Sequence, residues 1–303
     1  MALSEKVLKA VMSSVALPAV LRPARTRFAP SPTGDLHLGH AYSALTAWRA
    51  AGRSDKLFCL RIDDLDHTRC RAVYTEKMID DLQWLGMSWA ETPLVQSARL
   101  KRYARALDQL RAEGLVYPCY LTRREISTML SAPQDGDSPL AAPSTKGLLS
   151  ISEQAEREAE GQIPAWRLDS KSALARTGKL TWSDSDGHKQ EIDADQFITD
   201  IGDVILGRRD IAASYHLSVE LDDADSQIDL VVRGADLAPS TPVHRVLQAV
   251  LGLPVPTYLH HPLVRDETGR RLAKRDQDRS LRAYRDAGMR PEELQDLMPN
   301  FIV

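Results

Sequence analysis

Apolar residues recur along the first third of the chain with two periods. Thr26 to Pro30 reads as a short strand running into Pro-Ser-Pro-Thr-Gly, a strong turn signal. Leu38, Tyr42, Leu45 and Trp48 then fall at helical spacing, with Gly52 where a helix ends. Leu57 to Ile62 reads as a buried strand. Tyr74, Met78, Leu82 and Leu85 mark a second helix closed by Gly86, and Leu100, Tyr103, Leu107 and Leu110 a third closed by Gly114. Strand and helix alternating in this way predict an α/β fold on a parallel sheet with right-handed crossovers.

The pattern changes after residue 130. Ser131 to Ser150 is rich in Pro, Ser, Ala, Asp and Gly and reads as a long surface loop, and Ser152 to Gly161 as a charged helical segment. Trp166 to Trp182 and Gln190 to Gln196 are mixed. Val204 to Leu206, Ser214 to Leu221 and Ile228 to Val232 read as strands, and Thr241 to Leu251 as a helix with Pro242 in its first turn. No internal repeat is present.

With 303 residues, the chain has room for two domains, or for one large domain with an insertion. Apolar residues make up 43% and charged residues 27%, an ordinary globular balance, and no run approaches a membrane span. The net charge of −3 requires any nucleic-acid contact to come from local basic patches. The densest runs from Arg265 to Arg285, with eight Lys/Arg against four Asp/Glu. Cys59, Cys70 and Cys119 are odd in number and far apart, which argues against a disulfide framework and for a reducing compartment. Met1 to Leu21 lacks the apolar block of a secretory signal and reads as an N-terminal extension with no assigned function.

The segment Arg27-Phe-Ala-Pro-Ser31-Pro-Thr-Gly-Asp-Leu-His37-Leu-Gly39-His40 carries the most chemistry. A helix N-terminus offers free N–H groups and positive potential to phosphate. His37 and His40, three residues apart, can face one way and donate to phosphate oxygens, and Gly39 lets a base or ribose approach the backbone.

This string resembles the first signature of class I aminoacyl-tRNA synthetases of the glutamyl and glutaminyl branch. Arg61-Ile-Asp-Asp-Leu-Asp66 is similar to that branch's Arg-Ile-Glu-Asp-x-Asp, with Asp63 in place of glutamate. Gly202 to Asp210 followed by Ser214-Tyr215-His216-Leu217 resembles its strand entering the second half of the sheet. Leu221-Asp222-Asp223 and Val232-Arg233-Gly234-Ala-Asp236-Leu237 resemble the blocks that follow. Arg271-Leu272-Ala273-Lys274-Arg275 falls where the second signature, Lys-Leu-Ser-Lys-Arg, would lie, with Arg for the first lysine and Ala for the serine.

The resemblance implies a Rossmann-type parallel-sheet catalytic domain formed by residues 22–107 and 213–260. It implies an inserted α/β, tRNA-binding subdomain over 108–212, and a C-terminal helical and loop segment over 261–303 bearing the second signature. It also implies activation of glutamate by ATP with Mg2+. His37, His40 and Lys274 would stabilise the displacement at phosphorus, and His37, Gly39, His40, Arg271 and Lys274 would hold ATP. Arg27, Ser31, Asp63, Tyr215 and Arg233 would hold glutamate. Planar guanidinium groups suit its carboxylates and Asp63 suits its ammonium.

Only 29 residues follow Lys274, too few for a further helical anticodon-binding domain. In this the chain is similar to the truncated glutamyl-queuosine tRNA(Asp) synthetases, which implies transfer of glutamate to queuosine in the anticodon stem-loop of tRNA(Asp). Charging of a tRNA 3′ end, and a non-catalytic paralogue that binds RNA or protein, are the alternatives. Related insertions often carry Cys-x-Cys, then Tyr and Cys. Here Val116-Tyr117-Pro118-Cys119-Tyr120-Leu121 keeps one cysteine, and no Cys or His follows before His188, so no structural zinc is expected. A cytoplasmic monomer without membrane contact completes the expectation.

Overall fold

The structure is a computed structural model that describes residues 23–130, 142–211, 213–265 and 279–303. The N-terminal extension, part of the loop expected from residue 131, and both Arg271 and Lys274 lie outside the described residues.

Strand β1 (Thr26–Phe28) leads through the proline-rich turn into helix α1 (Leu38–Ala50). Strand β2 (Phe58–Ile62), helix α2 (Ala72–Trp84), strand β3 (Leu94–Val95) and helix α3 (Leu100–Ala112) follow. The turn between α1 and β2 uses Gly52 at φ +64°, where a Cβ would lie 2.9 Å from Pro23 Cγ. Next come β4 (Val116–Cys119), α4 (Arg123–Leu130), α5 (Ile151–Ala159), β5 (Ala165–Leu168), α6 (Ser170–Thr177), β6 (Thr181–Ser183), β7 (Lys189–Glu191) and β8 (Ile205–Gly207). The chain returns through α7 (Tyr215–Asp225), β9 (Leu230–Gly234), α8 (Thr241–Leu251) and β10 (Thr257–His261), and ends with α9 (Leu281–Asp286) and α10 (Pro291–Gln295).

β1, β2 and β3 pair in parallel, and so do β9 and β10. The two ribbons meet where β1 and β9 run side by side. There Asp229 N–H (3.0 Å) and Leu230 N–H (3.2 Å) donate to Arg25 O, and Arg27 Nη1 donates to Val232 O at 3.0 Å. The order β3-β2-β1-β9-β10 places the reversal of strand order at this seam, where ligands bind in open parallel sheets. β4, β5 and β8 form a separate antiparallel sheet. The β6–β7 hairpin covers the free edge of β10, with Ser185 N–H donating to Tyr258 O at 2.8 Å.

Two apolar cores hold these layers. Leu36, Phe58, Met78, Leu82, Val232, Leu281 and Leu294 close the first, which ties the C-terminal helices to the parallel sheet. Leu107, Leu110, Val116, Leu168, Leu206, Leu217, Val243 and Val246 close the second, which joins the antiparallel sheet to α7 and α8.

Two expectations are corrected. Ser214 to Leu221, read as a strand, is the start of α7. Tyr215, Leu217, Val219 and Leu221 alternate with polar residues as in a strand. Ser218, Glu220, Asp222 and Asp223 are nevertheless buried as well, because they face an internal polar network and not solvent. The stretch Gly202 to Asp210, expected to enter the parallel sheet, supplies β8 to the antiparallel one.

Candidate active site

A cavity of about 500 Å³ opens over the C-terminal ends of β1 and β9. Its lining includes Arg27, Ser31, His37, Gly39, His40, Asp63, Tyr215 and Arg233, so every expected site residue within the described part of the chain borders one space.

His37 occupies the N-cap of α1, and the two histidines cap the helix reciprocally. Gly39 N–H donates to His37 Nδ1 at 3.1 Å, and His37 N–H donates to His40 Nδ1 at 3.2 Å. The ring centroids lie 3.9 Å apart. With each Nδ1 accepting, a neutral ring carries its proton on Nε2, the nitrogen that can donate outward. The helix N–H groups expected to meet phosphate are thus partly consumed by the imidazoles, which leaves Nε2 as the outward-donating nitrogen of each neutral ring. A Cβ on Gly39 would stand 3.0 Å from His37 Cε1, which is a local reason for that position to lack a side chain.

Three arginines, Arg27, Arg61 and Arg233, line the cavity, and they are neutralised unequally. Arg61 donates from Nε to Asp63 Oδ1 at 2.7 Å, from Nη2 to Asp63 Oδ2 at 3.3 Å, and from Nη1 to Asp223 Oδ1 at 2.5 Å. Arg27 donates from Nε to Asp223 Oδ1 at 3.0 Å. Burial pushes the Asp223 carboxyl up, but Arg27 and Arg61 together hold it below the usual carboxylate range. Burial raises Asp63 to about 6 against the pull of Arg61.

Arg233 differs from both. It is 4% exposed and donates from Nε to His260 Nε2 at 3.2 Å, from Nη1 to His244 Nδ1 at 2.9 Å and from Nη2 to Thr241 Oγ1 at 2.8 Å. All three acceptors are neutral. Burial and the Arg233 charge hold His260 at about 4 and His244 well below the usual imidazole range. Among the described residues Arg233 pairs with no carboxylate, and a buried cation so placed attracts an anion. Only three of its five N–H groups are used.

Tyr215 opens α7 beside these groups and is 42% exposed. Residues flanking the second signature also converge here. Leu263 and Val264 line the cavity, and Ser280 forms an antiparallel bridge with His37. Leu281 N–H donates to Leu36 O at 2.8 Å.

The seam, the histidine pair and the arginine cluster are the frame on which the sequence comparison lands. A profile of "tRNA synthetases class I (E and Q), catalytic domain" matches residues 23–301. The chain belongs to the class I (E and Q) tRNA synthetase family. Within it, the chain is 42% identical over 275 residues to the Glutamyl-Q tRNA(Asp) synthetase of Rhodobacter capsulatus, covering 90% of this chain and 99% of that protein. It is 41% identical over 273 residues to the protein of the same name from Nitratidesulfovibrio vulgaris, covering 88% of this chain and 82% of the relative. The crystal structure of the glutamate-tRNA synthetase from Elizabethkingia anophelis superposes with a TM-score of 0.69 at 26% identity, covering 84% of this chain. The chain spans only 53% of the length of that longer synthetase. Membership of the synthetase family implies use of ATP.

Sequence reasoning assigned no role to Arg61, Asp223, Glu220, His244 or His260. Arg61 and Asp223 fall inside the quoted family blocks, which was the available signal. His244 carried none, because a lone histidine in an amphipathic helix reads as an ordinary surface or core residue.

In the antiparallel sheet, Cys119 is buried. Thr145 Oγ1 donates to its Sγ at 3.3 Å, and Tyr117 OH donates to Asp203 Oδ2 at 2.8 Å. Among the described residues no cluster of three or more His, Cys, Asp or Glu is arranged to hold a metal, and no helix is long and apolar enough to cross a membrane.

Proposed function

We propose that this protein activates glutamate as glutamyl-adenylate and transfers it to queuosine in the anticodon stem-loop of tRNA(Asp). The observation that carries the amino-acid assignment is Arg233, a buried guanidinium with only neutral acceptors. Within the arginine cluster, Asp223 and Asp63 match Arg27 and Arg61, and Arg233 is left as the cation that meets a carboxylate of a substrate such as glutamate. Near-full-length similarity to proteins named Glutamyl-Q tRNA(Asp) synthetase supports the choice of acceptor.

In this reading Arg27, Ser31, Tyr215 and Arg233 bind and orient glutamate, and Asp63 meets its ammonium. The substrate α-carboxylate attacks the α-phosphorus of Mg·ATP in line, and Mg-pyrophosphate leaves. Nε2–H of His37 and of His40 donates to the phosphate oxygens as charge builds. Lys274 and Arg271 would reach the triphosphate from the segment anchored by Val264 and Ser280. A nucleoside hydroxyl then attacks the adenylate carbonyl and AMP leaves. Residues 108–212 act as the tRNA-binding insertion, and the protein works as a cytoplasmic monomer without structural zinc.

Pyrophosphate exchange screened over the twenty amino acids, glutamine and aspartate included, tests activation. Exchange confined to glutamate is expected, and equal exchange with glutamine would refute the charge reading. Exchange undiminished in His40→Ala would refute its role. Queuosine-containing tRNA(Asp), queuosine-free tRNA(Asp) and tRNA(Glu) compared as acceptors test transfer.

A further inference from the structure

His244 is fully buried in α8, and one of its nitrogens is claimed by two partners. Nδ1 lies 2.9 Å from Arg233 Nη1 and 3.1 Å from Glu220 Oε1, while Nε2 lies 3.1 Å from His216 Nδ1. A guanidinium never gives up its proton, so the contact to Arg233 requires a lone pair on Nδ1. His244 then carries its proton on Nε2 and donates to His216 Nδ1, which accepts.

We propose that His244, set by Glu220 and backed by His216, is a positioning residue that aims Arg233 at the carboxylate of the amino-acid substrate. This rests on the reading of Arg233 as a substrate-binding group. The imidazole stands between Glu220 and Arg233 and keeps a carboxylate from neutralising that cation, so the charge remains for the substrate.

The arrangement has two protonation states. With Glu220 protonated, Nδ1 keeps its lone pair and holds Arg233. With Glu220 ionised, the favoured tautomer puts a proton on Nδ1 facing the carboxylate, His216 shifts its own proton to Nδ1, and Arg233 loses one acceptor. Burial, and then Asp223, push Glu220 up to about 7, and burial with Arg233 holds His216 at about 4. The groups around this chain are Tyr215 and Asp223 from α7, Gln248 from α8, Arg233 from β9, Tyr258 and His260 from β10, Arg27 from β1 and Arg61 from β2. Gln248 Nε2 donates to Glu220 Oε2 at 2.6 Å and fixes the carboxyl from the far side. Burial lifts Asp63, the partner of Arg61, to about 6, so the glutamate KM is read for Glu220 above that value, toward about 7.

The test is glutamate-dependent pyrophosphate exchange from pH 6 to 9. Removing the acceptor with His244→Leu is expected to raise the glutamate KM about tenfold, with kcat and the ATP KM within about twofold. His244→Asn returns a polar group to the Nδ1 position and is expected to recover most of the loss. In the wild type the glutamate KM climbs as pH passes upward through about 7, and Glu220→Gln removes that climb. A glutamate KM unchanged in His244→Leu overturns the proposal. Should that variant not fold, a wild-type slope surviving in Glu220→Gln overturns it instead. Arg233→Ala separates the two readings: a normal glutamate KM there means the assignment of Arg233 fails. An impaired Arg233→Ala beside a normal His244→Leu means only the positioning role fails.

Discussion

Asp223 bears on both the stability of the fold and the placement of two cavity-lining arginines, and Asp223→Asn probes it with little change in volume. Its carboxylate, 5% exposed, accepts from Arg27 Nε at 3.0 Å and Arg61 Nη1 at 2.5 Å. Removing the charge leaves Arg27 without a carboxylate and Arg61 with Asp63 as its remaining close partner. Breaking a buried pair from one side costs about 3–5 kcal/mol, because the other charge stays buried. At about 2.1 cal/mol/K per residue, a chain of 303 residues has an unfolding entropy near 0.6 kcal/mol/K, so Tm falls by about 5–8 °C. The Asp223 pKa is depressed by the two guanidiniums, so its contribution is present above the unfolded value near 4 and is lost as pH falls through the folded value. The part of the gap that comes from Asp223 itself is therefore constant from pH 6 to 8 and closes in acid, while Glu220, which the Asp223 charge pushes up, titrates lower in the variant. Thermal unfolding followed by circular dichroism measures it, with glutamate KM as a second readout. A drop under about 1 °C with an unchanged KM would show that Asp223 does not hold the two arginines.

Three further outcomes are expected. Gly39→Ala places a Cβ 3.0 Å from His37 Cε1 and turns the ring off its cap, so pyrophosphate exchange falls about tenfold while Tm holds within a degree or two, since alanine favours the helix; undiminished exchange would show that the ring can yield. Asp63, raised by burial to about 6, is half protonated there and its acid form does not pair with an ammonium, so glutamate KM rises as pH falls below about 6 and a flat profile contradicts that role. Asp81 is 1% exposed in α2, neither of its oxygens has a hydrogen-bond partner among the described residues, and burial lifts it to about 6. A raised carboxyl stabilises the fold fully below pH 4 and loses that contribution as pH climbs through about 6, so Asp81→Leu is expected to gain up to about 3 kcal/mol at pH 8 and little at pH 4, measured by denaturant unfolding.

The alternating elements were legible because each keeps either a helical apolar period or a short continuous apolar run. α2, α3 and α8 show the period of a helix packed on one side, while α1, β2 and β9 are buried almost throughout and form dense apolar stretches. α7 was misread because both of its faces are interior, one apolar and one ionic, and its sequence alternates between the two environments. The strand–turn–helix string disclosed His37, Gly39 and His40 because local geometry decides their placement. The partners of Arg233 were not legible, since Thr241, His244 and His260 reach it only after α8 and β10 have folded over β9. Asp223 lies 196 residues from Arg27, so its role depends on the seam between two ribbons and not on any local pattern.

The seam also explains why charge is distributed as it is. β1 and β9 share backbone hydrogen bonds only at their starts, and the Arg27 guanidinium spans the gap further along by donating to Val232 O at 3.0 Å. An arginine that stitches strands together must be neutralised by the fold itself, and Asp223 does this. Arg233, the penultimate residue of β9 beside the cavity, ties β9 to α8 and β10 through neutral acceptors, so among the described residues no carboxylate pairs with its charge. Buried positive charge destabilises the empty site, and a ligand carboxylate relieves that cost on binding. In the proposed binding mode a neutral amide of the same shape would leave Arg233 uncompensated, so discrimination by charge would follow from Asp223 matching Arg27 while Arg233 is left to the ligand.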